Sequence, residues 1–280
     1  MEIIKCHAKI NLFLEIINKD IKTGYHTLQT LMVQVREAYD VMKIEASNQF
    51  KVSSFGKYEV KGENILEKTV RIFKNEFGER VRTSFDVSLE KNIPIGGGMG
   101  GGSSDACAFL KFLLKENNII LKGDEFSSIA MKIGADVAFF IDSKPKICSG
   151  YGEVLNPISF NIPSQITALI IIPDFSLSTQ DVFKKFTKED YIESPNPLKD
   201  WKDVLGRKND MEKYASVIEP EIKLILEDLS KLPFCIKAMM SGSGSVCFGL
   251  FENFAEAEKA SLYLRKNGKY KEIIPSLLML

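Results

Sequence analysis

Histidine is almost missing from this chain: His7 and His26 are the only two in 280 residues. A histidine-built metal centre is therefore excluded. Cysteine is scarce too, and the five present (Cys6, Cys107, Cys148, Cys235, Cys247) include no Cys-x-x-Cys spacing. An odd count without that spacing argues against a disulfide framework or a zinc site, and fits a reducing cytoplasm. Charge of one sign is not in excess, with 37 basic and 37 acidic residues. Proteins that grip nucleic acid usually carry a basic surplus, so nucleic acid is not the expected partner. Long apolar runs are absent as well. The strongest, Ile166 to Ile172, is too short to span a bilayer. The N-terminus mixes Glu2, Lys5, His7 and Lys9 among its apolar residues, unlike a signal peptide. No membrane partner is expected. Nor is there a G-x-x-x-x-G-K-[ST] loop, an H-R-D or a D-F-G, so neither a Walker loop nor a protein kinase is present.

What is there is patterned. From Ala8 to Ile16 the even positions are apolar and the odd ones are Lys9, Asn11, Phe13 and Glu15. That alternation predicts a half-buried strand with Lys9 and Asn11 on one face. A turn with Gly24 and a strand through Leu31 to Val35 follow. A helix is expected over Asn64 to Phe77, and a strand over Phe85 to Leu89. After the glycines, Ala106, Phe109, Leu110, Leu113 and Leu114 fall at helical spacing, with Ser103, Ser104 and Asp105 offering N-cap chemistry and early negative charge. Asp124 is expected to cap a further helix that Gly134 ends. Prolines and polar residues near Asn156 to Pro163 mark a domain boundary, giving domains 1–157 and 158–280. The second reads as a buried strand (Ile166–Ile172), a polar loop (Glu193–Asp203), helices 210–218 and 221–230, strands 234–240 and 246–251 around S-G-S-G-S, helix 254–266 and a last short strand. This order is a split β-α-β layout, and the whole is read as two α+β domains.

The stretch P-I-G-G-G-M-G-G-G-S-S-D-A, Pro94 to Ala106, is the most informative. A flexible linker is one explanation. A linker, however, has no need to run straight into a well-formed amphipathic helix. Glycines also let the backbone aim N–H groups inward and let a ligand approach without Cβ clashes. The following helix N-terminus adds partial positive charge. An anion cradle for phosphates is thus the favoured explanation. The G-x-G-x-x-G at Gly96, Gly98 and Gly101 adds little, because a glycine run meets it trivially.

The full string resembles the ATP-phosphate motif of the GHMP kinases. A-K-I-N-L-F-L-E-I near the N-terminus and M-S-G-S-G-S-V-C-F-G-L-F near the C-terminus are similar to two further motifs of that family, in the same order. T-G-Y-H-T-L-Q-T and G-A-D-V-A-F-F-I narrow the likeness to its branch acting on a substrate with a cytidine diphosphate moiety. The resemblance runs from about Ala8 to Phe251. It implies an N-terminal domain like the second domain of ribosomal protein S5 and a ferredoxin-like C-terminal domain. The implied reaction is phosphoryl transfer from ATP, with Mg²⁺, to the 2-hydroxyl of a methylerythritol moiety. The expected quaternary state is a monomer or weak homodimer.

The likeness also assigns roles. Asp136 is the expected base for the hydroxyl proton, although a turn cap after Gly134 would look the same. Lys9 is the expected catalytic partner; alone it would read as a solvated strand lysine. ATP is expected on Gly96, Gly97, Gly98, Gly100, Gly101, Gly102, Ser103 and Ser104, with Lys91 and Asn64 toward the adenine. Lys91 could equally be a surface lysine and Asn64 a helix cap. Asn11, Tyr25, His26, Phe183 and Gly242 are expected to bind substrate. Tyr25 and Phe183 would stack on the cytosine and His26 would read its edge. Core packing is the rival for Phe183, one of 19 phenylalanines, and an ordinary hairpin turn the rival for Gly242. Where the branch carries aspartate before G-Y-H, this chain has Thr23.

Overall fold

The computed structural model describes residues 1–192, 195 and 197–280. In chain order the elements are β1 (Glu2–Lys19), β2 (His26–Ala46), β3 (Lys51–Gly56), α1 (Ile65–Phe77), β4 (Phe85–Lys91), α2 (Gly101–Glu116), α3 (Gly123–Ile133), β5 (Lys146–Gly150), β6 (Val154–Pro157), β7 (Thr167–Ile172), α4 (Thr179–Phe183), α5 (Trp201–Gly206), α6 (Met211–Ile218), α7 (Glu221–Ser230), β8 (Lys237–Met240), β9 (Cys247–Phe251), α8 (Phe254–Lys266) and β10 (Glu272–Met279). Two compact units result. One gathers Met1–Ala8, Tyr39–Ile95 and Gly100–Asp142; the other gathers Lys9–Ala38, Gly96–Met99 and Ser143–Leu280.

In the first unit β3 runs parallel to β4, and β4 pairs antiparallel with the end of β2, Val41 facing Glu90 and Ala46 facing Phe85. Helix α1 contacts α2 and α3. Its start is set by a capping box: the Asn64 side chain accepts the Leu66 N–H at 3.0 Å, and Glu67 accepts the Asn64 N–H at 2.8 Å. Phe85 meets Phe112 edge-on at 4.8 Å, tying sheet to α2. In the second unit β10 pairs antiparallel with β7, β7 with β9, and β9 with β8. All six residues of β7 are buried, as a central strand covered on both faces requires. Helices α6, α7 and α8 supply Ala215, Ile225, Leu229, Ala257 and Leu264 to the apolar core.

Several expectations change. The segment Ala8–Ile16 is buried at every residue rather than on alternate ones. Its polar face is covered by other backbone and polar side chains, so polarity there does not mean solvent. Helix α2 begins earlier, at Gly101, with Gly100 as N-cap in the left-handed region (φ 68°) and no side-chain cap. Ser103, Ser104 and Asp105 therefore lie inside the helix instead of capping it. Lys122, not Asp124, precedes α3, and the Glu125 carboxylate accepts the Lys122 N–H at 2.8 Å. Gly134 does end α3, in extended backbone (φ −176°), its N–H reaching the Ala130 carbonyl at 3.0 Å. The loop expected over Glu193–Asp203 gives way to helix α5 at Trp201, where the Asp200 side chain accepts the Asp203 N–H; Glu193, Ser194 and Asn196 lie outside the described residues. The strand expected from Phe234 starts only at Lys237, because Phe234 takes φ 64°. Strands β3, β5 and β6 and the short α4 were not expected from the sequence.

Candidate active site

Within the second unit three distant stretches of sequence meet. Lys9 and Asn11, two residues apart on β1, share a face as the alternation predicts, but both are buried, at 3% and 1% exposure. The Lys9 ammonium donates to Asn11 Oδ1 at 2.7 Å and to the Gly98 carbonyl at 2.9 Å. The Lys9 backbone N–H donates to the Met99 carbonyl at 2.9 Å. Asn11 is fixed in turn: its Nδ2 donates to Thr30 Oγ1 at 2.8 Å, and Thr30 Oγ1 donates to the Phe13 carbonyl at 2.5 Å. Such a chain of satisfied buried groups holds one geometry.

The C-terminal S-G-S-G-S turn closes on the same place. Ser241 Oγ donates to the Gly98 carbonyl at 2.9 Å. The Val246 N–H donates to the Gly97 carbonyl at 3.2 Å. Gly98 sits at φ 77°, and a Cβ there would lie 2.0 Å from the Ser241 carbonyl oxygen. Gly242, at φ 56°, faces Gly98 O and Asn11 Oδ1 at 3.2 and 3.3 Å from where its Cβ would be. The glycines are thus required by close backbone approach as well as by φ. Asn209 holds the turn from behind, its Nδ2 donating to the Met240 and Gly242 carbonyls at 2.8 Å each. Beneath it, the Met240 N–H donates to the half-buried Glu212, whose carboxyl desolvation pushes up to about 7.

The same unit carries an aromatic cluster. His26 stacks on Phe183 with centroids 4.8 Å apart and planes 14° from parallel. Tyr191 Oη lies 3.2 Å from His26 Nε2. Burial, with Lys19 second, holds the His26 imidazole below its ordinary pKa. Tyr25 is 69% exposed and sits edge-on to Tyr151 at 6.0 Å. The tip of this turn is organised by Asp20, which accepts from Tyr151 Oη at 2.6 Å and from the Lys22 N–H at 2.7 Å. Thr23 Oγ1 accepts the Tyr25 N–H at 3.3 Å, so threonine serves as a turn residue here.

The first unit holds the remaining residues. Gly101 enters α2 against Ile93, where a Cβ would fall 2.8 Å from Ile93 Cγ2. Ser104 is buried on the next turn, its N–H reaching the Gly100 carbonyl at 2.9 Å. Gly102 and Ser103 complete a helix start whose amides have no intrahelical acceptor by geometry. Lys91 is 3% exposed and bridges the carboxylates of Asp40 and of Asp105, the latter at 2.6 Å. Asp40 also accepts the Asn92 and Ile93 N–H groups at 2.5 and 2.8 Å. One ammonium between two solvent-free carboxylates leaves a surplus charge, and burial pushes Asp105 up to about 7. The same surroundings push the Cys6 thiol up. Lys91 is therefore committed to an internal network, and Asn64 to the α1 cap. Asp136 lies half-buried in the turn between α3 and the short 3₁₀ segment Ala138–Ile141. Among the described residues no cluster of three or more histidine, cysteine, aspartate or glutamate side chains could hold a metal ion.

Sequence reasoning missed Ser241, Thr30, Asn209, Tyr191 and Asp40. Ser241 had a signal, since it opens the S-G-S-G-S run. Thr30 and Asp40 had none, because a polar residue inside a long strand looks like a solvent-facing one.

Two glycine turns closed on a buried lysine, in a sequence whose glycine run leads on into a helix, are the marks of one class of small-molecule kinase. The model of the GHMP kinases N-terminal domain matches residues 64–144, and that of the GHMP kinases C-terminal domain matches residues 191–269. This chain belongs to the GHMP kinases, and its fold is their two-domain α+β fold. Within the family, it is 34% identical over 278 residues to the 4-diphosphocytidyl-2-C-methyl-D-erythritol kinase of Prochlorococcus marinus (strain NATL1A), covering 92% of this chain and 86% of that protein. The crystal structure of a 4-(cytidine 5'-diphospho)-2C-methyl-D-erythritol kinase superimposes over 100% of both chains with a TM-score of 0.81 and 26% identity. The homoserine kinase of Cytophaga hutchinsonii shares the fold, with a TM-score of 0.64 at 14% identity over 98% of this chain and 95% of that one.

Proposed function

We propose that this chain transfers the γ-phosphoryl of ATP to the 2-hydroxyl of 4-diphosphocytidyl-2-C-methyl-D-erythritol, a step of the non-mevalonate route to isoprenoids. The observation that carries the phosphoryl-transfer part is the closure of Gly97–Met99 on Lys9 and Ser241. Left-handed glycines at 96, 98 and 100 leave the run poor in side chains, and in sequence the α2 start follows. That arrangement fits a polyphosphate through backbone amides and a helix N-terminus. Phosphoryl transfer asks the protein chiefly for positioning and charge neutralisation.

In this proposal Gly96–Gly98, Gly100–Gly102, Ser103 and Ser104 bind the phosphates. Lys9 supplies positive charge to the reacting oxygens, oriented by Asn11 and the Gly98 carbonyl. Asp136 accepts the hydroxyl proton. Mg²⁺, held by the phosphates with a serine hydroxyl of 103 or 104, would neutralise charge on the transferring group. Lys91 and Asn64 act indirectly, by fixing the strand and helix beside the glycine run. His26 and Phe183, already paired in one cluster, take the cytosine, with Tyr25 closing from its exposed turn. None of the five cysteines is joined in a disulfide, which suits a cytoplasmic setting.

Homoserine or mevalonate phosphorylation on the same fold is the competing reading. ADP release measured with the cytidyl substrate, homoserine and mevalonate side by side separates them. Turnover with the cytidyl compound supports the proposal, and turnover with homoserine or mevalonate alone would replace it.

A further inference from the structure

His26 is offered as the group that reads a base, yet a neutral imidazole has one donor and one acceptor nitrogen, and the two tautomers read opposite edges. Which tautomer is present depends on what the other ring nitrogen meets. In this chain the Nε2 side is taken: Tyr191 Oη lies 3.2 Å away, with ring centroids 5.8 Å apart at 61°. The imidazole face is taken too, by Phe183 at 4.8 Å, while Phe186 tilts against the ring at 6.0 Å. The ring is thus held on one face and at one edge, leaving Nδ1 as the nitrogen with chemistry to offer.

Tyr191 is itself pinned. On one side Asp190 is locked by the Lys213 ammonium at 2.6 Å, Tyr214 Oη at 2.7 Å and the Thr187 N–H at 2.8 Å. On the other the Ile192 N–H donates to the Ile16 carbonyl of β1 at 3.1 Å. The hydroxyl is therefore delivered to His26 by backbone fixed at both neighbours.

We propose that Tyr191 is a positioning residue for base selection: its hydroxyl donates to His26 Nε2, fixes the Nδ1–H tautomer, and so presents a donor that accepts cytosine and refuses uracil. The direction follows from acidity. A phenol is the stronger hydrogen-bond donor of the two groups and an imidazole nitrogen the stronger acceptor, so O–H···N is favoured over N–H···O. Burial beside Lys19 keeps the ring uncharged near neutral pH, so the choice is between tautomers and not with the imidazolium. Cytosine N3 is a bare acceptor and pairs with Nδ1–H. Uracil carries a hydrogen at N3, and two donors would then face each other. A site built around one hydrogen bond discriminates strongly against a ligand that cannot make it. The base-selection part rests on the cytidyl reading; the tautomer part does not.

Two histidines make the test clean. With ¹⁵N-histidine label in the full chain, long-range ¹H–¹⁵N correlation at pH 7.5 reports the tautomer of each ring, and a His7→Gln variant assigns them. The expected result is a bare Nε2 and a protonated Nδ1 at His26, lost or mixed in Tyr191→Phe. A protonated Nε2 in the unmodified chain overturns the proposal without any variant. Steady-state kinetics then compare the cytidyl substrate with its uridine counterpart. Tyr191→Phe should lower the cytidine-over-uridine ratio of kcat/KM on the order of tenfold, about one hydrogen bond, through KM with kcat nearly kept. An unchanged ratio overturns the selection role. The expected tautomer in a chain that turns over neither nucleotide would fail the cytidyl reading and leave the Tyr191–His26 assignment standing.

Discussion

Gly98→Ala is the sharpest probe of the glycine run, and Gly96→Ala is its control. Both positions lie in the left-handed region, at φ 77° and 73°. An alanine in that region costs about 1–2 kcal/mol at either place. The surroundings differ completely. At Gly96 nothing lies within 4 Å of the new Cβ, so strain is the whole cost. At Gly98 the Cβ would meet the Ser241 carbonyl oxygen at 2.0 Å, its carbon at 3.0 Å and the Gly244 nitrogen at 3.3 Å. These are backbone atoms and cannot swing aside. Relief requires the S-G-S-G-S turn to withdraw, at a further 1–3 kcal/mol or so. Withdrawal also breaks the Ser241 Oγ bond to Gly98 and disturbs the carbonyl that holds Lys9. Urea unfolding should thus show Gly98→Ala destabilised by about 2–5 kcal/mol and Gly96→Ala by about 1–2 kcal/mol. Turnover of ATP should fall on the order of 10²-fold for the first, as expected for ångström-scale misplacement, and much less for the second. Equal behaviour of the two variants would refute the claim that the loops are set by close contact.

Asp136→Ala should lower kcat on the order of 10²–10⁴-fold, with the circular-dichroism spectrum unchanged. Near-normal turnover would remove Asp136 from the mechanism. Glu212 is held near 7 in the folded chain against an ordinary value of 4.5. A raised carboxyl pKa means the folded state binds the extra proton, so the stability this group contributes is fully present below about pH 4.5 and is lost as pH rises through 7, by on the order of 3 kcal/mol. Glu212→Gln keeps an acceptor for the Met240 N–H and should flatten that stretch of the stability profile; an identical profile would contradict the assignment. Asp105→Asn should be tolerated and should stabilise the chain above pH 7, because it removes the surplus buried carboxylate while the Lys91–Asp40 pair remains. A large loss of stability at pH 8 would show that the charge itself is required.

How much of this was legible beforehand depends on the kind of signal. The α1 cap at Asn64, the ends of α7 and α8 and the buried run of β7 follow from local chemistry, and local chemistry is what a sequence displays. The sharing of one face by Lys9 and Asn11 was also legible, because alternation along a strand is fixed by geometry. Their burial was not. It depends on Gly98, Thr30 and Ser241, which lie 19 to 230 positions away from Asn11 or 89 from Lys9. The cap assigned to Asp124 lies two residues past the observed one, Lys122, and those assigned to Ser103–Asp105 failed for a related reason. Polar residues beside a helix start look like caps until tertiary contacts, here Ile93 against Gly101 and Asp105 on Lys91, move the boundary. Lys91 had no local mark of its fate, since its two carboxylates come from β2 and α2.

The central claim is tested most directly by following the phosphorus. ³¹P NMR of a reaction containing the full chain, MgATP and 4-diphosphocytidyl-2-C-methyl-D-erythritol should show one new phosphomonoester, coupled to no additional proton because the 2-carbon bears the methyl group, rising in step with ADP. ADP accumulating with free phosphate alone, or a monoester formed at a different hydroxyl, would contradict the account.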